Sequence, residues 1–310
     1  MLAGRRSGFA RFFGASIRAV NEAAPIQHYE NFPVASWLCP ARLRPPIAAI
    51  YHFARTADDI ADEGDASAEQ RLAALSRYRT ELARIAAGEA PQSPWNPVFA
   101  PLAAMIRQFG LPVALLDDLL CAFLQDVART AARATYRDRA ELLDYCRRSA
   151  NPVGRLLLHL YGIHDAASLA HSDAICSALQ LINFWQDLSV DIPRQRYYLC
   201  DADRARFGVA LADLQVQRAS PAMQALIADV LQWAEALMHA GAPLVHTVPG
   251  RSGWELRLVV RGGLAVLAKV RAQQGGNLQA RRTLGPLDAP GILLRALRMH
   301  KKTGHEARCE

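Results

Sequence analysis

The sequence predicts a single all-α domain, and three observations carry that prediction. The 310 residues are 51% hydrophobic, enough to enclose one large core. Alanine and leucine abound while β-branched runs stay short, which favours helix over strand. Apolar positions recur at helical spacing through 67–88, 97–109, 112–134, 138–161, 168–192, 220–246 and 254–274. Ahead of these, Ile47, Ala48, Ala49, Ile50, Phe53 and Ala54 make almost every turn of a further helix apolar, as in a buried helix. Pro91-Gln-Ser-Pro94-Trp-Asn-Pro97 and Pro249-Gly250-Arg-Ser-Gly253 read as loops inside the domain, and no internal repeat stands out.

Two acidic clusters interrupt these apolar helices. The first is Arg55-Thr-Ala-Asp58-Asp59-Ile-Ala-Asp62-Glu63; the second is Gln180-Leu-Ile-Asn183-Phe-Trp-Gln-Asp187-Leu-Ser-Val-Asp191. Asp58 and Asp62 are one helical step apart, and Asn183, Asp187 and Asp191 repeat that step, so each set forms a stripe on one side of its helix. Like charges at this spacing repel, and their burial unpaired is costly, so each stripe needs a cation or an arginine. Mg²⁺ prefers hard oxygen donors and usually takes one or two carboxylates together with substrate phosphate oxygens. Two facing stripes would therefore hold a diphosphate through Mg²⁺ ions, which neutralise the departing charge as a carbon–oxygen bond ionises. The alternative for a DDxxD pattern alone is a solvated charged face.

The combination Tyr51-x-x-x-Arg55-x-x-Asp58-Asp59-x-x-Asp62 with Asn183-x-x-x-Asp187-x-x-x-Asp191, followed by Arg194-x-Arg196-x-Tyr198-Leu199, resembles the squalene/phytoene synthase family of head-to-head isoprenoid synthases. The resemblance runs from roughly Gln27 to Gln273. It implies the isoprenoid synthase fold, a helical bundle around a central cavity, with Mg²⁺ as cofactor and an isoprenoid diphosphate as substrate. Within the family, Glu30-Asn31-Phe32-Pro33-Val34-Ala35-Ser36 and Ser149-Ala150-Asn151-Pro152-Val153-Gly154 resemble the hydroxysqualene synthase branch of bacterial hopanoid pathways. That branch is implied to take presqualene diphosphate from a sister enzyme and to release hydroxysqualene. Cys200 stands where many relatives have proline, and Pro193 lies where they often carry charge.

The resemblance assigns Asp58, Asp62, Asn183, Asp187 and Asp191 to metal, and Tyr51 and Arg55 to diphosphate or departing charge. Asp59 and Gln180 are placed with them at the substrate, Gln180 sharing the stripe of Asn183. Arg194 and Arg196 would close over diphosphate, with Tyr198 at the cavity mouth; their alternative is a solvated loop. Asn151, where relatives commonly have glycine, either places a water in the pocket or simply breaks a helix before Pro152. Phe32, Phe53, Phe184 and Trp185 are core residues or faces toward a cation. The alternatives to hydroxysqualene formation are a condensing squalene or phytoene synthase and a non-catalytic helical assembly factor. The last would be marked by lost ligand positions, yet all of them are occupied.

Six cysteines are scattered without a CxxC pair, as expected of reduced thiols in a cytoplasmic protein. Arg11 interrupts the N-terminal apolar stretch that a signal peptide requires, and Arg261 breaks the best candidate membrane span at Leu258–Ala268. The net charge of +7 is concentrated at the C-terminal end, where twelve Lys and Arg face four acidic residues from Arg251 onward. A basic N-terminal segment over 1–26, a synthase domain over 27–280 and a basic C-terminal tail over 281–310 are expected. The two ends are either solvated or drawn to anionic lipid at the inner membrane. No nucleic-acid-binding motif is present.

Overall fold

A computed structural model of the chain describes residues 39–92 and 94–299. The N-terminal segment 1–26, the Glu30–Ser36 motif with Phe32, and Cys309 lie outside the described residues. Among the described residues no strand forms, and one isolated bridge joins Thr135 to Tyr197. The helices are α1 (Arg44–Asp62), α2 (Ala68–Ala86), α3 (Asn96–Phe109), α4 (Val113–Ala132), α5 (Arg139–Ser149), α6 (Asn151–Leu160), α7 (Ala166–Gln186), α8 (Leu188–Asp191), α9 (Asp201–Phe207), α10 (Leu211–Val216), α11 (Pro221–Gly241), α12 (Gly250–Ala272) and α13 (Ala289–Leu297). The all-α prediction therefore holds.

Local chemistry sets the ends of these helices. Prolines in the first turn of α1 and of α11 occupy positions whose N–H has no intrahelical partner. Ser67 and Gln70 form a reciprocal capping box at the start of α2. Two helices expected as continuous are divided. The 138–161 helix breaks at Ala150, because Pro152 lacks an N–H and opens α6 instead. The 168–192 helix leaves regular geometry at Asp187, whose φ of -101° and ψ of 14° separate α7 from α8.

The apolar side chains form two cores. α1 to α4 enclose Phe53, Tyr78 and Phe99, with Tyr78 and Phe99 rings 4.6 Å apart. α7, α11 and α12 enclose the other, around Trp185, Met223, Leu226, Met238 and Leu267. α6 serves both, sending Leu156 to the first and Leu158 to the second. The first acidic stripe ends α1 and the second ends α7, so each core carries one stripe.

The chain after α12 returns across the end of α7. Asn277 Nδ2 donates to Trp185 O at 2.7 Å, and Gln186 Nε2 donates to Arg282 O. The C-terminal turn of α7 thus finds a partner for one of the carbonyls that no helical N–H can reach. Residues 281–299 are thus tied to the domain at a few points while most of them remain exposed. Lys269 holds Asp288 at 2.5 Å, and Ala296 of α13 is fully buried.

α7 and α11 make the most extensive helix contact, and Gly241 shows how close it is. A Cβ there would meet His171 O and Ile175 Cγ1 at 2.5 Å. Gly241→Ala is expected to cost about 1–3 kcal/mol through overpacking against backbone that cannot yield. Gly291→Ala in α13 meets nothing within 4 Å and should be neutral or stabilising in the same urea titration.

Candidate active site

At 100° per residue, Tyr51, Arg55, Asp58 and Asp62 fall within about 60° of one another on α1, and Asp59 lies at the edge of that stripe. Asp58 is buried; Asp59 remains partly exposed, its carboxyl raised to about 6 by burial against the opposing pull of Arg55. Arg55 sits among the acids, 3.2 Å from Asp58 and 2.7 Å from Glu63, and it also contacts Asp59. In this structure the intrahelical pairing of Arg55 is therefore formed.

On α7 and its continuation, Ser177, Gln180, Asn183, Phe184 and Asp187 share one face. Two helical bonds flank the break. Asp187 N donates to Asn183 O and Asp191 N to Asp187 O, each at 2.9 Å. Gln180, Asn183, Asp187 and Asp191 are all buried, and Gln180 Oε1 has no hydrogen-bond partner. A buried amide oxygen without a donor is costly unless water or a ligand reaches it. Asn151 is buried too and accepts a hydrogen bond from Ser177 Oγ at 2.9 Å. It both opens α6 and presents a polar side chain to the α7 face, so its two readings coexist. From Ser177 to Asp187 is about 15 Å along the helix, which puts Asn151 well away from the carboxylates.

Two arginines join the stripes to later segments. Arg196 grips both oxygens of Asp62, with Nη1 3.1 Å from Oδ2, and both side chains are largely enclosed. Rather than a solvated loop, Arg196 is a tie between α1 and the segment after α8; Arg194 is half-buried beside it. Arg281 Nε lies 2.7 Å from Asp187 Oδ1. Its N–H is not aimed at that oxygen, so charge attraction rather than a formed hydrogen bond links these two atoms.

Tyr198, expected at the cavity mouth, is instead buried. Its ring stacks on Phe184 with centroids 3.6 Å apart and planes 6° from parallel. Tyr136 and Tyr145 extend this wall at 5.9 and 6.5 Å from Tyr198. The Arg129 guanidinium lies 4.1 Å from the Tyr136 centroid, so that ring already faces a cation. Phe53 and Trp185 are core residues, and Tyr51 is buried against the His52 ring.

Sequence reasoning missed Asp126, Tyr136, Tyr145 and Arg281. Tyr145 OH donates to Asp126 on α4, and Arg196 and Asp62 act on that carboxyl through space. Burial pushes Asp126 up to about 7, against the pull of Arg196. A lone acid between Leu124 and Val127 was the available signal. Arg281 carried none, because nothing in a basic C-terminal run names the carboxylate that one arginine will meet.

The donor set fits Mg²⁺: hard carboxylate and amide oxygens, withdrawn from water, on two helix ends. Among the described residues no three His, Cys, Asp or Glu side chains converge into a closed cage, and a cation completed by phosphate oxygens requires none.

Comparison with known proteins agrees with this geometry. Residues 26–288 match the squalene/phytoene synthase family. The hydroxysqualene synthase of Rhodopseudomonas palustris is 34% identical over 74% of this chain and 75% of its own length. The presqualene diphosphate synthase of the same organism is 28% identical over 85% and 91%. Squalene synthase HpnC from Alicyclobacillus acidocaldarius superposes with a TM-score of 0.70 at 38% identity, covering 78% of this chain and 88% of the other. The chain belongs to the squalene/phytoene synthase family, whose enzymes process isoprenoid diphosphates, and it has the all-helical fold of that family. Three relatives at 31–36% identity carry the name hydroxysqualene synthase, and one at 32% over 54% of this chain carries the name phytoene synthase.

The raised Asp126 carboxyl yields a pH prediction. The folded chain keeps a proton there that the unfolded chain, with a carboxyl near about 4, has released. This contribution to stability is present below about pH 4 and lost as pH rises to about 7. In metal-free buffer Asp126→Asn should therefore gain on the parent between about pH 5 and pH 8, read as a growing difference in Tm. A difference that does not change over this range would mean that Asp126 is not held protonated by the fold as inferred from its burial.

Proposed function

We propose that this enzyme converts presqualene diphosphate and water to hydroxysqualene and diphosphate. The observation that carries the reading is the pairing of buried carboxylates with arginines beside an aromatic wall, Asp62 with Arg196 and Asp187 with Arg281 next to Phe184 and Tyr198. Such a site accepts a polyanion at one end and a delocalised cation at the other. Mg²⁺ held by Asp58, Asp62, Asn183, Asp187 and Asp191 would supply the charge that lets diphosphate leave.

The residues divide the work. Arg55, Arg194, Arg196 and Arg281 turn toward the diphosphate once its charge outweighs that of their present partners. Asp59 tempers Arg55 at the rim, and Tyr51 donates toward the departing oxygens. The carbon–oxygen bond breaks with its electron pair going to diphosphate, leaving a cyclopropylcarbinyl cation that rearranges against the ring faces of Tyr145, Phe184 and Tyr198. Gln180 and Asn151 orient water, whose oxygen closes the reaction while its proton passes to solvent or diphosphate. No hydride donor enters this balance. The substrate would arrive from a sister synthase of the hopanoid pathway, in the cytoplasm at the inner membrane surface. No helix among the described residues is long and apolar enough to cross a membrane.

The second reading is a condensing synthase that joins two prenyl diphosphates, favoured by the likeness to a presqualene diphosphate synthase. Incubation with Mg²⁺ and presqualene diphosphate, without NADPH, should give hydroxysqualene, and farnesyl diphosphate should give nothing. Presqualene diphosphate or a phytoene-like product from prenyl diphosphates would establish the condensing reading instead.

Asp187→Ala should lower turnover about 100-fold or more while the helical circular dichroism stays nearly intact. Unfolding of that variant would make the stripe a structural network. In the parent, Mg²⁺ with diphosphate should raise Tm by mass action.

A further inference from the structure

Six large hydrophobic side chains are prominently exposed among the described residues, and four of them, Leu287, Leu293, Leu294 and Leu297, fall in and just before α13. Scattered exposed leucines are ordinary, whereas a cluster on one short helix is not. On α13 Ala296 is buried and Ile292 half-buried, and Met299 just after the helix packs against the core of α7, α11 and α12. Leu293, Leu294 and Leu297 occupy an arc of about 100° on the opposite, solvent side, each about half exposed, and Leu287 just before the helix is 95% exposed. The helix is thus apolar on two faces, only one of which is covered.

The charge beside that bare face has one sign. Between Ala289 and Met299 the described residues carry Arg295 and Arg298 and no acid. Asp288, the acid just before the helix, is engaged by Lys269. Leucines that lie in the acyl boundary with arginines at headgroup level are what an interfacial helix requires, and anionic phospholipid answers both features at once. An acidic protein surface would match the arginines but leave the leucines against polar groups.

We infer that α13 docks the enzyme on an anionic bilayer, with Leu287, Leu293, Leu294 and Leu297 in the acyl boundary and Arg295 and Arg298 among the headgroup phosphates. The inference rests on the membrane-surface location in the proposed function and assigns that contact to one helix face. α13 begins eight residues after Arg281, whose side chain meets Asp187. A bilayer held there lies beside the segment that covers the second carboxylate stripe. A substrate with one charged group and long hydrocarbon arms then has a route from membrane to site that avoids bulk water.

The test uses the full chain with sedimented vesicles of phosphatidylglycerol and phosphatidylcholine, against pure phosphatidylcholine. The parent should partition to the anionic vesicles, and Leu293→Gln/Leu294→Gln/Leu297→Gln should weaken this by about tenfold or more with Tm unchanged. Leu294→Trp offers an independent readout, since lipid brominated near the carbonyl should quench its added fluorescence. Binding by the parent that survives the triple change, or added fluorescence in the Leu294→Trp variant that bound brominated lipid leaves unquenched, would overturn the assignment to α13 while leaving membrane contact standing elsewhere. No binding by the parent would overturn both. A parent that sediments as a dimer and becomes monomeric in the triple variant would show that a second copy covers the face, which also overturns the proposal.

Discussion

A carboxylate withdrawn from water needs a cation or donors within contact distance, and the architecture around the site answers that requirement. Asp62 ends α1 and meets Arg196; Asp187 stands at the break after α7 and meets Arg281; Asp58 meets Arg55. Two of these arginines come from segments distant in sequence. Ion pairs between elements therefore cross the site beside the Phe184–Tyr198 stack. The two-oxygen grip of Arg196 on Asp62 joins α1 to the segment after α8.

The helix breaks have the same logic. Continuing α7 as a regular helix through Asp191 would leave the second stripe without the segment that now covers it. Leaving regular geometry at Asp187 lets Asn277 and Arg282 bond the end of α7 and brings Arg281 to the carboxylate. The break at Ala150 lets Asn151 face α7 while Pro152 begins α6. Both breaks place a polar residue on the α7 face, one at each end of the aromatic wall. Phe184 and Tyr198 stand between them, which separates the anion-holding end from the polar group that would deliver water.

Much of the site was legible because helical spacing is a local property. The step of Asp58 to Asp62, and of Asn183 to Asp187 to Asp191, specifies a stripe before any fold is known. Burial of these residues was legible as well, since their flanks are apolar all round. Tyr198 was misplaced for a corresponding reason: its burial comes from stacking on Phe184, fourteen residues earlier, and no periodic pattern encodes that contact. Asp126 and Tyr145 went unseen because they meet across two helices, α4 and α5, neither of which carries a motif.

The all-helical class, the two carboxylate stripes and the family to which they belong could be read from the chain alone, because helix period and side-chain chemistry are written in residues a few positions apart. Folding had to settle which arginine answers which carboxylate, that Tyr198 lines a wall, and that the C-terminal segment folds back over the site and leaves a leucine face bare on α13. Those outcomes depend on contacts between residues 14 to 134 positions apart, and their selection is a matter of three-dimensional packing and charge pairing that no local pattern records.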